Sequence, residues 1–232
     1  PDLRKIAIWS YFENAEREAG PHGGATIILH TEKKDSWFWF IPLRNNITSI
    51  GVVGDREYML AGRGKPEEIF AEELQLCSAM QRRLDKSTAT EKYRVAREFS
   101  YTTSKQSGPG WVLVGDAFGF IDPIYSSGVY FAMKSGLLAS DAIVAGLQVD
   151  DVSGKQLGSW IPEYGEGTQW IRKLVDAYYV HPFSFGQFLK MHPQYTGALT
   201  DLLIGRIFHD GAGRIFDDMD PAIQAAITGK HE

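Results

Sequence analysis

The sequence predicts an α+β chain in which an antiparallel sheet is followed by one strand–loop–helix unit and then by a helical tail. Three observations predict this order. Runs rich in aromatic and β-branched residues fill much of the first hundred residues, one short apolar run ends at a Gly-Asp pair, and nearly everything after Trp160 has helical spacing. With 232 residues, the chain is long enough to bury a sizeable core without disulfides.

Composition excludes several classes of partner. The chain carries 24 Lys and Arg against 29 Asp and Glu, a formal net charge of −5, so we expect it to bind neither nucleic acid nor an anionic membrane. Cys77 is the only cysteine, which excludes an intrachain disulfide and a cysteine-based zinc site. The six histidines are scattered, and we expect no metal. No apolar run is long enough to span a membrane, and we expect a soluble, cytoplasmic protein.

The predicted sheet comes first. An aromatic-rich strand is expected over 5–12, and the three β-rich runs that follow are joined by short polar connectors, which favour an antiparallel meander. These runs cover 25–31, 37–43 and 47–53. The range 66–84 then predicts one helix, because Pro66 and two glutamates stand where a first turn is expected and apolar residues recur at helical spacing.

The second half begins with a predicted strand over 93–101 and a turn at 108–110. The apolar run Trp111–Val114 has the pattern of a strand buried on both faces, which requires neighbouring strands. A helix with an apolar and small-residue stripe is predicted over 127–147. The predicted helices of the tail cover roughly 160–179, 183–190, 193–208 and 220–228.

The segment that starts at Trp111 carries the strongest chemical signal. Its strand ends at Gly115-Asp116, and Ser127 and Gly128 open the next helix. A helix start presents unpaired backbone N–H groups and the positive end of the helix dipole, which suit an anion or an electron-rich carbonyl. Asp116 is placed to accept hydrogen bonds from a polyol or ribose. A bare Gly-Asp pair would be an ordinary turn, but its setting between an apolar strand and a small-residue helix favours a ligand site.

These residues resemble the second flavin-binding motif of the class A flavoprotein monooxygenases and their relatives. More narrowly, DPIYSSGV at 122–129 is similar to the DPxFSSGV stretch of FAD-dependent halogenases that act on phenols and carrier-bound pyrroles. WFWFIP at 37–42 independently fits WxWxIP, which is regarded as the fingerprint of those halogenases. By itself this stretch is also compatible with a two-sided core strand that has Trp37 and Trp39 on one face.

The resemblance implies roles for the residues around the Gly-Asp pair. Asp116 would contact the ribitol of the flavin, with Gly115 allowing close approach, and Pro123 would lie against the flavin ring. The backbone N–H groups of Ser127 and Gly128 would bind the halide and face the flavin edge.

The resemblance also implies the chemistry. FAD, reduced by a separate flavin reductase, would be the cofactor, and chloride or bromide would be the co-substrate. The substrate would be an activated phenolic or pyrrolic ring, including one tethered to a carrier protein. Trp37 and Trp39 would form a wall near the flavin that discourages ordinary monooxygenation.

By resemblance, the chain divides into three regions. Residues 1–104 would form most of the substrate-side antiparallel sheet, 105–147 the returning flavin-binding strand, loop and helix, and 148–232 a C-terminal helical region. The family's GxGxxG motif is absent, and no lysine can be assigned as its halogen relay. We therefore expect the C-terminal part of an α/β FAD-binding, monooxygenase-like fold, inactive without the missing half.

One departure from the family narrows the substrate, and two alternatives to a halogenase stay open. Where tryptophan halogenases carry a glutamate two positions after the proline, this chain has Tyr125, which argues against free tryptophan as the substrate. A related FAD-dependent monooxygenase or prenyl-chain reductase could retain the same motifs. A non-enzymatic alternative is a truncated fragment that binds an apolar ligand or a partner.

Overall fold

The computed structural model describes residues 3–97 and 100–229. These form two compact units, with the division between positions 99 and 100. The strands are β1 (Lys5–Glu13), β2 (Ile27–His30), β3 (Ser36–Pro42), β4 (Ile47–Asp55), β5 (Thr88–Ala89), β6 (Arg94–Arg97), β7 (Tyr101–Thr102), β8 (Ser107–Gly108), β9 (Trp111–Val112) and β10 (Gly119–Phe120). The α-helices are α1 (Arg56–Leu60), α2 (Pro66–Gln75), α3 (Ser78–Leu84), α4 (Gly128–Gln148), α5 (Gly154–Leu157), α6 (Ile161–Tyr178), α7 (Phe185–Met191), α8 (Thr196–Leu203) and α9 (Phe216–Thr228).

The first unit is an antiparallel sheet with helices on one face. Its strand order is β2-β3-β4-β1, with β5 and β6 also paired to β1, and every pairing is antiparallel. The predicted antiparallel sheet is therefore confirmed. Alternate residues of the strands face a core that the helices α1 to α3 complete. This core includes Ile6, Ile8, Phe12, Phe38, Phe40, Ile50, Val52, Met59, Ile69, Phe70, Met80 and Leu84.

The range 66–84 holds two helices instead of the single helix that the sequence predicts. The break falls at Leu76 and Cys77, and Cys77 has a non-helical backbone (φ −136°, ψ 82°). The side chain of Gln81 donates a hydrogen bond to the exposed carbonyl of Leu74 (2.9 Å), which satisfies the end of α2. Apolar spacing continues through the break because both helices cover the same sheet face, so periodicity alone does not show the interruption.

The second unit is mainly helical and is built around α4. Two short antiparallel pairs, β7 with β10 and β8 with β9, precede this helix. One side of α4 is buried within the unit through Phe131, Ser135, Ala139, Ala142 and Gly146.

The strands predicted near the junction are shorter in the structure. The predicted strand over 93–101 is represented by β6 and by the first residue of β7, while positions 98 and 99 lie outside the described residues. Trp111–Val114 is not buried on both faces: Trp111 and Val114 are 41% and 37% exposed. Within the described ranges, β9 pairs with β8, and no further strand covers its other edge.

Two of the predicted tail helices have different limits. The helix predicted over 193–208 ends at Leu203, and Gly205 follows with φ +80°, a conformation that a continuing helix cannot contain. The last helix begins at Phe216, four residues before the predicted start, and Pro221 lies inside it rather than at its beginning. Proline spacing therefore located these helices but did not fix their ends.

Candidate flavin and halide site

The strand β3 presents its two tryptophans on the sheet face opposite the helices. Phe38 and Phe40 alternate with them and are completely buried in the core. The ring centroids of Trp37 and Trp39 are 6.3 Å apart, and Trp9 from β1 lies 6.1 Å from Trp39. A row of three indoles therefore covers this face of the sheet.

Gly51 makes room for the indole of Trp39. It lies between Trp39 and Trp9 in the sheet register. A Cβ atom at position 51 would lie 2.6 Å from the Cβ of Trp9 and closer still to two atoms of the Trp39 ring. The Nε1–H of Trp39 donates a hydrogen bond to Ser49 Oγ (3.1 Å). This bond and the absent side chain at Gly51 together fix the indole across β4.

A buried polar network holds the start of β3 against α2. The carboxylate of Glu73 has no exposed surface and accepts hydrogen bonds from Ser36 Oγ, from Tyr58 OH (3.0 Å) and from Arg63 Nη1 (2.6 Å). Burial, reinforced by the hydrogen bond to Glu73, raises the pKa of Tyr58 to about 12. Because Ser36 immediately precedes Trp37, this network anchors the tryptophan strand.

In the second unit, the Gly-Asp pair forms a tight turn on the side of α4. Gly115 has φ +56°, and a Cβ there would lie 3.3 Å from Ala132 Cβ, so this turn favours glycine. The Gly115 N–H donates to Ser135 Oγ (2.9 Å), while Tyr101 OH donates to the backbone carbonyl of Asp116 (2.5 Å). These contacts fix the backbone of Asp116 and leave the residue exposed.

The loop that leads into α4 is fixed by a buried carboxylate. Asp122 is 2% exposed, and its side chain accepts hydrogen bonds from the Ile124 N–H and from Tyr179 OH, both at 3.0 Å. Ser126 adopts the left-handed conformation (φ 53°), and the chain then turns through Ser127 into the helix. The sequence DPIYSSG therefore forms a defined entry to a long helix.

Tyr125, on the same loop, is turned inward. Its hydroxyl donates to the carbonyl of Leu174 (3.1 Å), and its ring makes an edge contact with Tyr178 at 6.3 Å. Burial raises the pKa of the Tyr125 phenol far above its ordinary value. The residue that replaces the glutamate of tryptophan halogenases therefore supports the loop and is held in its neutral form.

A small cleft brings the Gly-Asp turn and the start of α4 together. A Cβ built at Gly128 would meet no atom within 4 Å, so the first residue of the helix faces open space. The residues that line the cleft are Gly115, Asp116, Phe118, Gly119, Phe120, Ile121, Gly128, Phe131, Tyr164, Thr168 and Arg172.

Arg172 lines the cleft, although no pattern in the sequence predicted a site residue at this position. Its guanidinium donates a long hydrogen bond to the carbonyl of Tyr101 (3.4 Å), and burial lowers its pKa. It lies on the same face of α6 as Tyr164 and Thr168, at successive intervals of four residues. That spacing was visible in the sequence, but nothing in it indicated which part of the molecule the face would meet.

The structure brings some of the predicted site residues together. Gly115, Asp116 and Gly128 line one cleft, and Pro123 and Ser127 lie on the loop that enters α4. Trp37 and Trp39 belong to the other unit, on the sheet face opposite α1 to α3.

The cleft has features that suit a flavin nucleotide. An exposed carboxylate at Asp116 can accept hydrogen bonds from hydroxyl groups, and Gly128 leaves open space through which a ligand can approach the backbone. The open helix start offers N–H donors to electron-rich atoms. The residues present therefore fit the group that the sequence motifs indicate.

Two further kinds of feature are absent from the described ranges. In 3–97 and 100–229, no group of three or more His, Cys, Asp or Glu residues is arranged to hold a metal ion. Over the same residues, no helix combines the length and the apolar character needed to cross a bilayer.

Comparison with known proteins connects both units to one family. The family model for tryptophan halogenase matches residues 16–184, which include both the WFWFIP strand and the DPIYSSG loop. The 1H-pyrrole-2-carbonyl-[peptidyl-carrier protein] chlorinase of Pseudomonas fluorescens is 28% identical over 97% of this chain and 51% of that protein. A flavin-dependent halogenase of Aspergillus carbonarius is 35% identical over 64% of this chain and 32% of its own length.

The fold agrees with these sequence matches. The solved structure of the flavin-dependent brominase Bmp2 has a TM-score of 0.86 and 26% identity, covering 98% of this chain and 56% of that one. The chain thus spans about half or less of the length of the relatives that it matches.

Proposed function

Because the chain belongs to the tryptophan halogenase family, we propose that it is the part of a flavin-dependent halogenase that carries the Gly-Asp turn and the tryptophan strand. The whole enzyme would use reduced FAD, oxygen and chloride or bromide to halogenate an activated aromatic ring. A separate flavin reductase would supply the reduced cofactor. The single cysteine supports a reducing compartment such as the cytoplasm.

One observation carries this proposal. In a chain of this family, the loop fixed by Asp122 leads to a helix start whose first residue faces open space, next to an exposed Asp116. A buried carboxylate is costly unless hydrogen bonds satisfy it. Its use here to shape a loop supports the assignment of that loop to ligand binding.

Asp116 would accept hydrogen bonds from the ribitol hydroxyls, with Gly115 allowing the chain to pass close to the ligand. Pro123 would pack against the flavin ring. Ser127 and Gly128 would offer backbone N–H groups to the halide, which needs no side-chain cation because the amino end of a helix is itself electropositive.

When bound, reduced FAD supplies the activation of oxygen that converts a halide into an electrophile. The residues of this chain position and shield the reactants. The N–H groups at the start of α4 would hold a halide in place, and Trp37 and Trp39 would, as the resemblance of their motif implies, discourage ordinary monooxygenation. The neutral Tyr125 keeps the entry loop closed against α6 through its bond to Leu174.

An activated phenolic or pyrrolic ring is the substrate class that we propose. Two relatives support it: the Pseudomonas fluorescens chlorinase and a brominase of Pseudoalteromonas luteoviolacea are both named for pyrrole-2-carbonyl groups on a peptidyl-carrier protein. Tyr125 in place of the glutamate supports a substrate other than free tryptophan. A carrier protein that delivers the ring would be a partner of the whole enzyme.

The test is a halide-dependent product assay. The chain would be combined with the half of the Pseudomonas fluorescens chlorinase that it does not match, together with FAD, a flavin reductase, bromide or chloride, and a phenol or a pyrrolyl-carrier substrate. We expect a product with the halogen isotope pattern in its mass spectrum, which disappears when the halide is omitted.

Matched variants make the assay specific. Trp39→Phe is expected to reduce the halogenated product, whereas Trp170→Phe, on α6 of the other unit, is expected to leave it unchanged. A hydroxylated product that forms whether or not halide is present would refute halogenation and favour a monooxygenase.

A further inference from the structure

One arginine on α6 reaches the cleft beside the Gly-Asp turn. Arg172 lines this cleft together with Asp116 and Gly128. Its side chain is half-buried. Its neighbours Ile171 and Leu174 are buried in the unit, which fixes the rotation of α6 about its axis. The guanidinium is therefore held at the cleft by the packing of the helix that carries it.

The guanidinium lies against the short pair of strands β7 and β10. Its Nη2 donates the long hydrogen bond to the Tyr101 carbonyl (3.4 Å), and a Cβ built at Gly119 would lie 3.6 Å from the same nitrogen. Tyr101 in turn donates its hydroxyl to the backbone carbonyl of Asp116. The cation of Arg172 thus stands next to the segment that fixes the Gly-Asp turn.

Arg172 has more donors than partners. A guanidinium carries five N–H groups and a permanent charge. Among the described residues, the long bond to Tyr101 is the hydrogen bond that this side chain makes, and it has no ion pair. In contrast, Arg63, Arg83 and Arg206 each pair with a carboxylate. A half-buried cation without a charged partner is costly, so its position at a cleft indicates that a ligand supplies the acceptor.

Two acidic residues could have neutralised this guanidinium. Asp176 follows one turn later on α6, and Asp116 shares the cleft. Neither carboxylate comes within 4.0 Å of the nitrogens of Arg172, and Asp176 attracts it over a longer distance. The donors of Arg172 are therefore available on the cleft side.

We infer that Arg172 binds reduced flavin at the N1 and C2=O2 edge of its ring, where the reduced anion carries its negative charge. The inference rests on the proposed function, which gives the ribitol to Asp116 and the flavin edge to the start of α4. N1 and O2 are on the same side of the ring as the ribityl chain, so they would lie between Asp116 and Gly128, in the cleft that Arg172 lines. A phosphate fits less well, because it would share the cleft with the Asp116 carboxylate.

Charge complementarity favours one redox state of the cofactor. Reduced flavin can carry a negative charge at N1 that oxidised flavin lacks, and a guanidinium there would donate a charge-assisted hydrogen bond. The amino end of α4 adds a second positive potential to the same cleft. Arg172 should therefore bind the reduced cofactor more tightly than the oxidised one, which is the form that a separate reductase would deliver.

The experiment compares the two redox states without any catalytic readout. The chain is joined to the half of the Pseudomonas fluorescens chlorinase that it does not match, and its affinities for oxidised and reduced FAD are measured without oxygen, halide or substrate. For Arg172→Gln we expect reduced FAD to bind about tenfold more weakly and oxidised FAD less than about twofold more weakly. A tenfold preferential loss lowers the midpoint potential by about 30 mV for two electrons. The near-ultraviolet spectrum of bound reduced FAD should move towards that of its neutral form.

Control variants separate charge at the cleft from a general effect. Arg172→Lys keeps a positive charge and is expected to recover most of the preference for reduced FAD. Arg206→Gln removes a guanidinium that is 71% exposed, paired with Asp201 (3.3 Å) and outside the set that lines the cleft, so both affinities should stay unchanged. Arg172→Met is a second uncharged variant that keeps an unbranched apolar side chain, and circular dichroism reports the helix content of each protein.

Three results would overturn the inference. The first is equal weakening of both redox states, which a phosphate contact or a purely structural role would give. The second is an unchanged midpoint potential in Arg172→Gln, and the third is loss of helix content in both uncharged variants. An unsubstituted protein that binds no flavin would refute the proposed function as well, whereas a failure of halogenation with a potential that depends on Arg172 would count against the proposed function alone.

Discussion

The substitution Gly51→Ala tests whether the sheet is built around the indole of Trp39. Gly51 is in the middle of β4, paired with Trp39 on one side and with Trp9 on the other. The added methyl group would lie 2.6 Å from the Cβ of Trp9 and within still shorter range of the Trp39 ring. Ordinary contact begins near 3.4 Å, so the indole must move by about an ångström.

The expected cost combines two effects. Overpacking of this kind costs about 1–3 kcal/mol, and losing the hydrogen bond from Trp39 Nε1–H to Ser49 would add about 1 kcal/mol. We therefore expect the free energy of unfolding to fall by about 2–4 kcal/mol. The ring packing of Trp39 with Trp9 and Trp37 should be disturbed at the same time.

The assay is urea unfolding, followed by tryptophan fluorescence and by near-ultraviolet circular dichroism. Gly24→Ala is the control within the same unit, because a Cβ there would meet no atom within 4 Å. A Gly51→Ala protein with unchanged stability and unchanged near-ultraviolet spectrum would refute the argument, since it would mean that the indole does not lie over β4.

Three further predictions concern the buried polar groups. Glu73→Ala should lower the free energy of unfolding by about 3–5 kcal/mol, because Ser36 Oγ, Tyr58 OH and Arg63 Nη1 lose their shared buried acceptor. Glu72→Ala, at the exposed partner of the same arginine, should cost less than about 1 kcal/mol; equal costs in urea melts would contradict the buried network. The folded state raises the pKa of Tyr58 to about 12, against an ordinary 10.0. The contribution of this proton to the free energy of unfolding should therefore be constant below pH 10 and should be lost as the pH rises from 10 to 12. Tyr58→Phe should make this loss shallower in unfolding curves measured across the window, and an identical slope would count against the assignment. Asp122→Ala should cost about 2–3 kcal/mol, with less than about 0.5 kcal/mol for exposed Asp141→Ala; similar melting temperatures for both would show that the entry loop does not depend on the carboxylate.

Much of the fold could be predicted because the signals were local. Strand alternation placed Trp37 and Trp39 on one face and Phe38 and Phe40 on the other. Polar connectors of a few residues between the β-rich runs allowed little except an antiparallel meander. The Gly115-Asp116 turn and the start of α4 followed from residue types that suit turns and helix starts.

Other features depended on contacts between distant parts of the chain. The break at Cys77 was not visible, because the apolar spacing on either side serves the same sheet face. Arg172 could not be identified as a cleft residue, because it reaches the cleft from α6, far along the chain from Asp116. The role of Asp122 depended on Tyr179, 57 residues away.

The sequence by itself determined the family motifs, the order of strands and helices, and the faces on which the strand residues lie, since each of these follows from neighbours a few residues apart. Only the tertiary structure decided that Gly51 holds the space for Trp39, that Glu73 anchors the tryptophan strand, and that Tyr179 binds the Asp122 carboxylate. These depend on which surfaces meet, and packing between remote segments is set by the shape and burial of the whole unit instead of by local periodicity.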